Sequence, residues 1–138
     1  MIIDKLLQTD IDEIKAMPKS EIELPRLKEK FGEGTIKIQG INTDRLQEIY
    51  EMNQKHTADG DKTDEVGMML EIIVEGTIDP NFRDSRLLEK FHTEDPGEIV
   101  KSVFLTGEIR AIGTKIIELC GIDAEKMSQV NIDKEIKN

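Results

Sequence analysis

The chain has 138 residues, with 29 Asp and Glu against 19 Lys and Arg, and a formal net charge of −10. That balance argues against non-specific binding to DNA, RNA or an anionic membrane, which needs a Lys/Arg excess. It fits a basic protein partner, or solubility alone. Hydrophobic residues make up 37% and aromatics 4%, with no Trp, so the core of this single-domain-sized chain has to be aliphatic. Aliphatic cores of this kind arise from helices packed at i, i+3, i+4 spacing.

Residues 2–17 read as an amphipathic helix with Leu6, Leu7, Ile11 and Ile14 on one face and Pro18 after its end. Charges run through its apolar positions, so it is not expected to be a signal peptide. Residues 20–24 and Thr35–Gln39 alternate polar and apolar side chains and predict two antiparallel strands. The connection between them ends in Gly32 and Gly34, which suit turns with positive φ. Everything after residue 42 reads as helix. Thr43 or Asn42 caps a helix to about residue 55, with Leu46, Ile49 and Tyr50 inward. His56–Thr63 reads as a polar loop, followed by a helix over 64–76 with Val66, Met69, Leu70, Ile73 and Val74 on one side. Asp79-Pro80 is expected to open a helix, with Leu87, Leu88 and Phe91 forming a short apolar face. Asp95-Pro96-Gly97-Glu98 is the strongest capping signal: Asp95 caps, Pro96 takes the first helical position and Glu98 bonds back. Ile99, Val100, Val103 and Phe104 follow on the buried side. Thr106 opens the last long helix, with Leu105, Ile109, Ile112, Ile116, Leu119 and Cys120 apolar and Gly121 closing it. Asp123 is placed to cap a final turn, and the tail from Ser128 is polar.

The expected fold is therefore mostly α with a small antiparallel β-hairpin near the N-terminus, an α+β class in one domain. Residues 1–41 hold the first helix and the two strands, 42–122 a helical body, and 123–138 a polar tail.

No set of side chains points to catalysis. His56 and His92 have no second His or Cys at metal-ligand spacing. Asp59, Asp61 and Asp64 lack the glycine and distal glutamate of a calcium loop. Gly32-Glu33-Gly34 lacks the third glycine of a dinucleotide turn. The one cysteine, Cys120, falls in an aliphatic stripe and reads as a small buried hydrophobe. No enzyme activity, cofactor or metal is expected. The acids are densest between residues 44 and 75, nine against three bases. They read either as a solvated helical face or as a docking surface for a basic partner.

From Asp79 onward a longer pattern emerges. Asp79–Phe91 (DPNFRDSRLLEKF) is followed by Asp95-Pro96-Gly97-Glu98-Ile99-Val100-Lys101 and by Leu105-Thr106-Gly107-Glu108-Ile109. This resembles the XkdN-like tail assembly chaperones of phages and phage-like prophages of Gram-positive bacteria. Glu21–Leu27 and Thr35–Asn42 fit the same family, so that the resemblance runs over about residues 1–122. It departs at Thr93-Glu94-Asp95-Pro96, where the family is often shorter, and at Gly113, which interrupts the last helix. The resemblance implies a protein of the host cytoplasm that binds the long, helical tape measure protein while the tail tube polymerises, and is absent from the finished virion. It also implies a frameshifted long form that recruits tail tube protein, the chain ending at Asn138 being the short form. Self-association is a further partner expectation; nucleic acid and membrane are not.

Two groups of residues are the candidate docking surface. Leu87, Leu88, Phe91, Val103 and Phe104 are expected to border an apolar groove, or else to be plain core. Asp59, Asp61 and Glu65 are expected to supply an acidic rim. The alternative function is an acidic inhibitor of the DNA-mimic, anti-restriction or anti-repressor type. Such proteins set carboxylates at phosphate-like intervals, whereas here acids are interleaved with Lys and Arg.

Overall fold

The structure is a computed structural model that describes residues 1–123. The expected N-terminal helix is two short ones, α1 (Ile2–Gln8) and α2 (Ile11–Lys15). Thr9 breaks it: its hydroxyl donates to the Lys5 carbonyl at 2.6 Å, and its backbone turns to an extended conformation. Such local side-chain bonds compete with helix continuation. Leu6, Leu7, Ile11 and Ile14 do not face the core, and neither helix contains a buried residue.

Strand β1 (Lys19–Glu23) pairs antiparallel with β2 (Thr35–Gln39), with Ile22 opposite Ile36. The alternation predicted both. Their connection is not a hairpin turn but a helix, α3 (Pro25–Phe31), with Pro25 in its first turn and Leu27 buried. Gly32 closes α3 in the left-handed region at φ 83°, its N–H donating to the Lys28 carbonyl. The expected positive φ at Gly34 is not found; among the glycines only Gly32, Gly60 and Gly121 take it.

Helix α4 (Thr43–Met52) starts where the cap signal put it, with Asn42 Oδ1 accepting from the Arg45 N–H at 2.9 Å. Ile49 is fully buried, but Tyr50 is 48% exposed and does not point inward. The polar loop is in fact a hairpin, β3 (Gln54–Thr57) and β4 (Gly60–Thr63), turning at Ala58-Asp59 before Gly60 at φ 107°. Helix α5 (Glu65–Gly76) is capped by Asp64, whose Oδ1 accepts from the Gly67 N–H. Its buried face is Ile72, Ile73 and Val74; Val66, expected inward, is 66% exposed. The chain then forms a third strand, β5 (Thr77–Asp79), antiparallel to β2, giving the sheet order β1-β2-β5. Pairing with β2 therefore uses the residues expected to open a helix. Asp79 ends the strand, and the Asp79–Pro80 peptide is cis.

The next helix, α6 (Ser85–Lys90), starts later, with Asp84 Oδ1 accepting from the Arg86 N–H. Helix α7 (Pro96–Val103) begins as expected: Asp95 Oδ1 accepts from the Gly97 N–H at 2.9 Å. Glu98 does not bond back, because the Asp95 N–H already donates to Thr93 Oγ1; its carboxylate takes Lys101 instead. Helix α8 (Thr106–Leu119) runs unbroken through Gly113, with Ile112 and Ile116 fully buried and Leu105, expected to be apolar core, 57% exposed. Gly121 closes it at φ 83°. Cys120 is half-buried; its Sγ accepts from the Ile41 N–H and donates to the Ile116 carbonyl. The turn after Asp123 and the polar tail lie outside the described residues.

The core is aliphatic, built by Ile36, Ile38, Ile72, Ile73, Ile99, Ile112 and Ile116 between the sheet and helices α5, α7 and α8, with two phenylalanines at one side. The fold class is α+β, richer in strand than the sequence suggested. No helix among the described residues is long and apolar enough to cross a membrane.

Candidate functional site

The two groups of candidate residues occupy different elements. Leu87, Leu88 and Phe91 belong to α6 and its C-terminal end, Val103 and Phe104 to the end of α7. Helices α6 and α7 touch, and Leu87, Leu88, Phe91 and Val103 each pack against the core, to which Phe104 itself belongs. Leu87, Leu88, Phe91 and Val103 are half-buried, whereas Phe104 is only 4% exposed. Phe104 meets the buried Phe82 edge to face, centroids 5.8 Å apart at 78°. Such a pair adds packing beyond its buried area. Phe82 was not singled out from the sequence, although it lies within the motif DPNF.

The α7–α8 corner beside Val103 is held from α3. Arg26 Nη2 donates to the Val103 carbonyl at 2.7 Å and to Glu108 Oε1 at 2.7 Å, and Arg26 Nε reaches both Glu108 oxygens. Glu108 Oε1 also accepts from the Leu105 N–H at 2.8 Å. Glu108 thus satisfies a free amide at the start of α8 and binds a guanidinium at once. The hydrogen bond from Arg26 holds the Glu108 carboxyl below its usual value, and the bond to Leu105 adds to this. A carboxylate depressed in the folded state contributes stability that is complete above its unfolded pKa and is lost as pH falls through the folded one. Glu108→Gln is therefore expected to lower stability near neutral pH by on the order of 1 kcal/mol, allowing for partial exposure. The gap from the parent chain should close as pH falls below the ordinary Glu value of 4.5. Thermal melts of both proteins between pH 7 and 3 check this; a gap that stays constant contradicts it.

The three candidate acids lie close in sequence, across the hairpin and the start of α5. Asp59 is at the hairpin turn, Asp61 on β4 and Glu65 at the first position of α5, and all are exposed. Asp61 Oδ1 lies 2.6 Å from His56 Nδ1 across the hairpin. Two acids elsewhere in the dense stretch are held by arginines. Glu75 bonds Arg45 at 3.0 Å and Arg83 at 2.8 Å, and Glu48 bonds Arg45 at 3.0 Å. This ion network ties α4 and α5 to the loop before α6. The neighbouring Asp84 carboxyl is lowered to about 2, first by its hydrogen bond from the Arg86 side chain. A shallow depression beside β2 is lined by Glu23, Lys28, Glu33, Lys37 and Asp79, charges of both signs, with Lys28 already 3.0 Å from Glu23.

What this geometry offers is surface for binding: half-buried apolar side chains on α6 and α7, an exposed acidic hairpin, and an ion network joining α4, α5 and the loop before α6. A family model described as phage XkdN-like tail assembly chaperone protein matches residues 3–137. The crystal structure of the protein YqbN is similar, at 29% sequence identity and a TM-score of 0.59, covering 83% of this chain and 98% of that chain. No curated protein sequence matches the chain.

Proposed function

We infer, from the premise that this chain belongs to the XkdN-like family of phage tail assembly chaperones, that it holds the tape measure protein during tail assembly and leaves before the virion is complete. The observation that carries this reading is the family match over nearly the whole chain. A long helical client exposes amphipathic faces before the tube encloses it, and a chaperone has to cover them reversibly. The work is binding without catalysis, in the cytoplasm of the bacterial host. A frameshifted long form would add the recruitment of tube protein.

We assign the apolar part of that contact to α6 and the end of α7, where Leu87, Leu88, Phe91 and Val103 keep part of their surface open, while Phe104 is buried. The acidic part falls to Asp59, Asp61 and Glu65, whose exposed carboxylates can meet Lys and Arg beside the client's apolar stripe. Rim charges of this kind speed encounter and are weakened by salt, which suits a partner that must be released.

Reversing all three, with Asp59→Lys, Asp61→Lys and Glu65→Lys, is expected to weaken binding to the tape measure protein by roughly tenfold at low salt. The loss should shrink in high salt. An unchanged affinity at low salt, with the variant's thermal melt intact, rules the acidic rim out of the contact.

A further inference from the structure

Strand β1 stands at one edge of the three-stranded sheet. Its register with β2 is flanked by two bonds, from the Leu24 N–H to the Gly34 carbonyl and from the Gly40 N–H to the Pro18 carbonyl. Bonded pairs alternate along an antiparallel ladder, so Ser20 and Ile22 turn their backbone groups to β2. The N–H and carbonyl groups of Lys19, Glu21 and Glu23 therefore point off the sheet, and nothing among the described residues bonds them. Such an edge is a template for one more strand. Ser20 and Ile22 are half-buried, with Ile22 packed on the core, while Lys19, Glu21 and Glu23 are exposed. An added strand has to alternate in step, apolar on the Ile22 side and polar on the other.

Helix α8 delivers a segment of that pattern to this edge. Near its start, Glu108 is held by Arg26, which follows β1. At its end, the Leu119 carbonyl and Met17 Cε crowd against Gly40, whose N–H is bonded to Pro18, just before β1. The helix thus runs opposite to β1, packed on β1 and β2, and the chain leaves it beside the start of β1. Gly121, left-handed at φ 83°, turns the chain out of the helix. Beyond the described residues the sequence continues to Gln129-Val130-Asn131-Ile132-Asp133, polar and apolar in alternation as Lys19–Glu23 is. The family match runs through this segment, to residue 137. Residues 124–129 reach about 20 Å when extended, at roughly 3.3 Å per residue. A tether this short holds the segment at an effective concentration on the order of millimolar, well above that of a second copy or of a client.

We propose that Gln129–Asp133 adds to the sheet as a fourth strand, parallel to β1, with Val130 and Ile132 on the side of Ile22. The edge is then closed by the chain's own C-terminal segment, and no other chain pairs there.

Amide hydrogen exchange followed by NMR on the full chain tests this without any client, so its outcome is separate from that of client binding. The Glu21 N–H is expected to exchange at least tenfold more slowly than an unprotected amide. Cross-strand NOEs are expected from Glu21 to Val130 or Ile132. In the double variant Val130→Asp, Ile132→Asp, and in a chain ending at Asp123, Glu21 should exchange at least tenfold faster, while the Ile22 N–H, bonded to β2, stays slow. A Glu21 amide that exchanges freely in the parent overturns the proposal, as does protection that the double variant leaves unchanged. Protection that grows with protein concentration gives the edge to a second copy and overturns it too. The NOEs are read on the parent alone, so their absence overturns it even if a variant fails to fold.

Discussion

Phe104→Ala is expected to lower folding stability by about 3–5 kcal/mol, the range for truncating a buried phenylalanine. The ring is 4% exposed and stands edge to face on Phe82, so its removal opens a cavity in the corner where α7 turns into α8. Arg26 and Glu108 pin the backbone of that corner, through the Val103 carbonyl and the Leu105 amide, so the corner has little room to collapse onto the void. A domain with a total stability of about 5–15 kcal/mol would lose a large part of it. The neighbouring Leu105, 57% exposed, supplies the control: Leu105→Ala should change stability by less than about 0.5 kcal/mol. Urea unfolding of the two variants separates the roles. If Phe104→Ala unfolds like the parent but loses its client, Phe104 is a docking residue that leaves the core on binding.

The second large effect is expected where α5 crosses α8. A side chain at Gly113 would run into the Met69 sulfur, and across the same contact Gly76 sits against Ile116. The glycine that interrupts the sequence pattern of the last helix is thus what lets the two helices approach. Gly113→Val is expected to cost about 1–3 kcal/mol by overpacking. Gly113→Ala should be close to neutral, because the better helix propensity of alanine, about 1 kcal/mol, offsets the shift it forces on a flexible methionine. Adding Met69→Ala to Gly113→Val should restore part of the loss, since the two positions share one contact. Chemical denaturation of the single and double variants measures the coupling. Purely additive losses would place the strain elsewhere.

Local signals in the sequence were read correctly where only neighbouring residues decide the outcome. Asn42 and Asp95 cap their helices, and Gly121 ends the last one, because each acts on an amide or a turn within a few residues. Asp79-Pro80 carries the same letters as Asp95-Pro96 but is claimed by the sheet, since Thr77 and Asp79 pair with β2 nearly forty residues earlier. No local pattern contains that pairing. The hairpin at 54–63 was missed for the opposite reason: its strands are polar throughout, bury almost nothing and lack alternation, leaving Asp59-Gly60 as the sole turn signal. Helix α3 was overlooked because one buried leucine in seven residues makes no periodic stripe, though Pro25 and Gly32 marked both ends.

The site was less legible than the fold. An amphipathic stripe says that a face must be covered, not by what. The stripe in 2–14 reads as one amphipathic face and is exposed, while Phe104, open to either a groove or the core in the sequence, is core. The strings at 79–91 and 105–109 carry the family resemblance because they are specific in sequence, independently of which of their side chains are buried. The alternative of a DNA mimic finds little support in the acidic stretch. Glu48 and Glu75, within it, are tied to Arg45 and Arg83 rather than arrayed as free carboxylates.

As a tail assembly chaperone, this protein is proposed to keep a tape measure protein soluble until the tail tube encloses it. Co-expression of the two, followed by fractionation and affinity capture of this chain, tests that role. The tape measure protein, aggregated when made alone, is expected to become soluble and to co-purify, and the chain to be absent from assembled tails. A tape measure protein that aggregates equally with and without the folded chain, and is not captured by it, would overturn the proposed role.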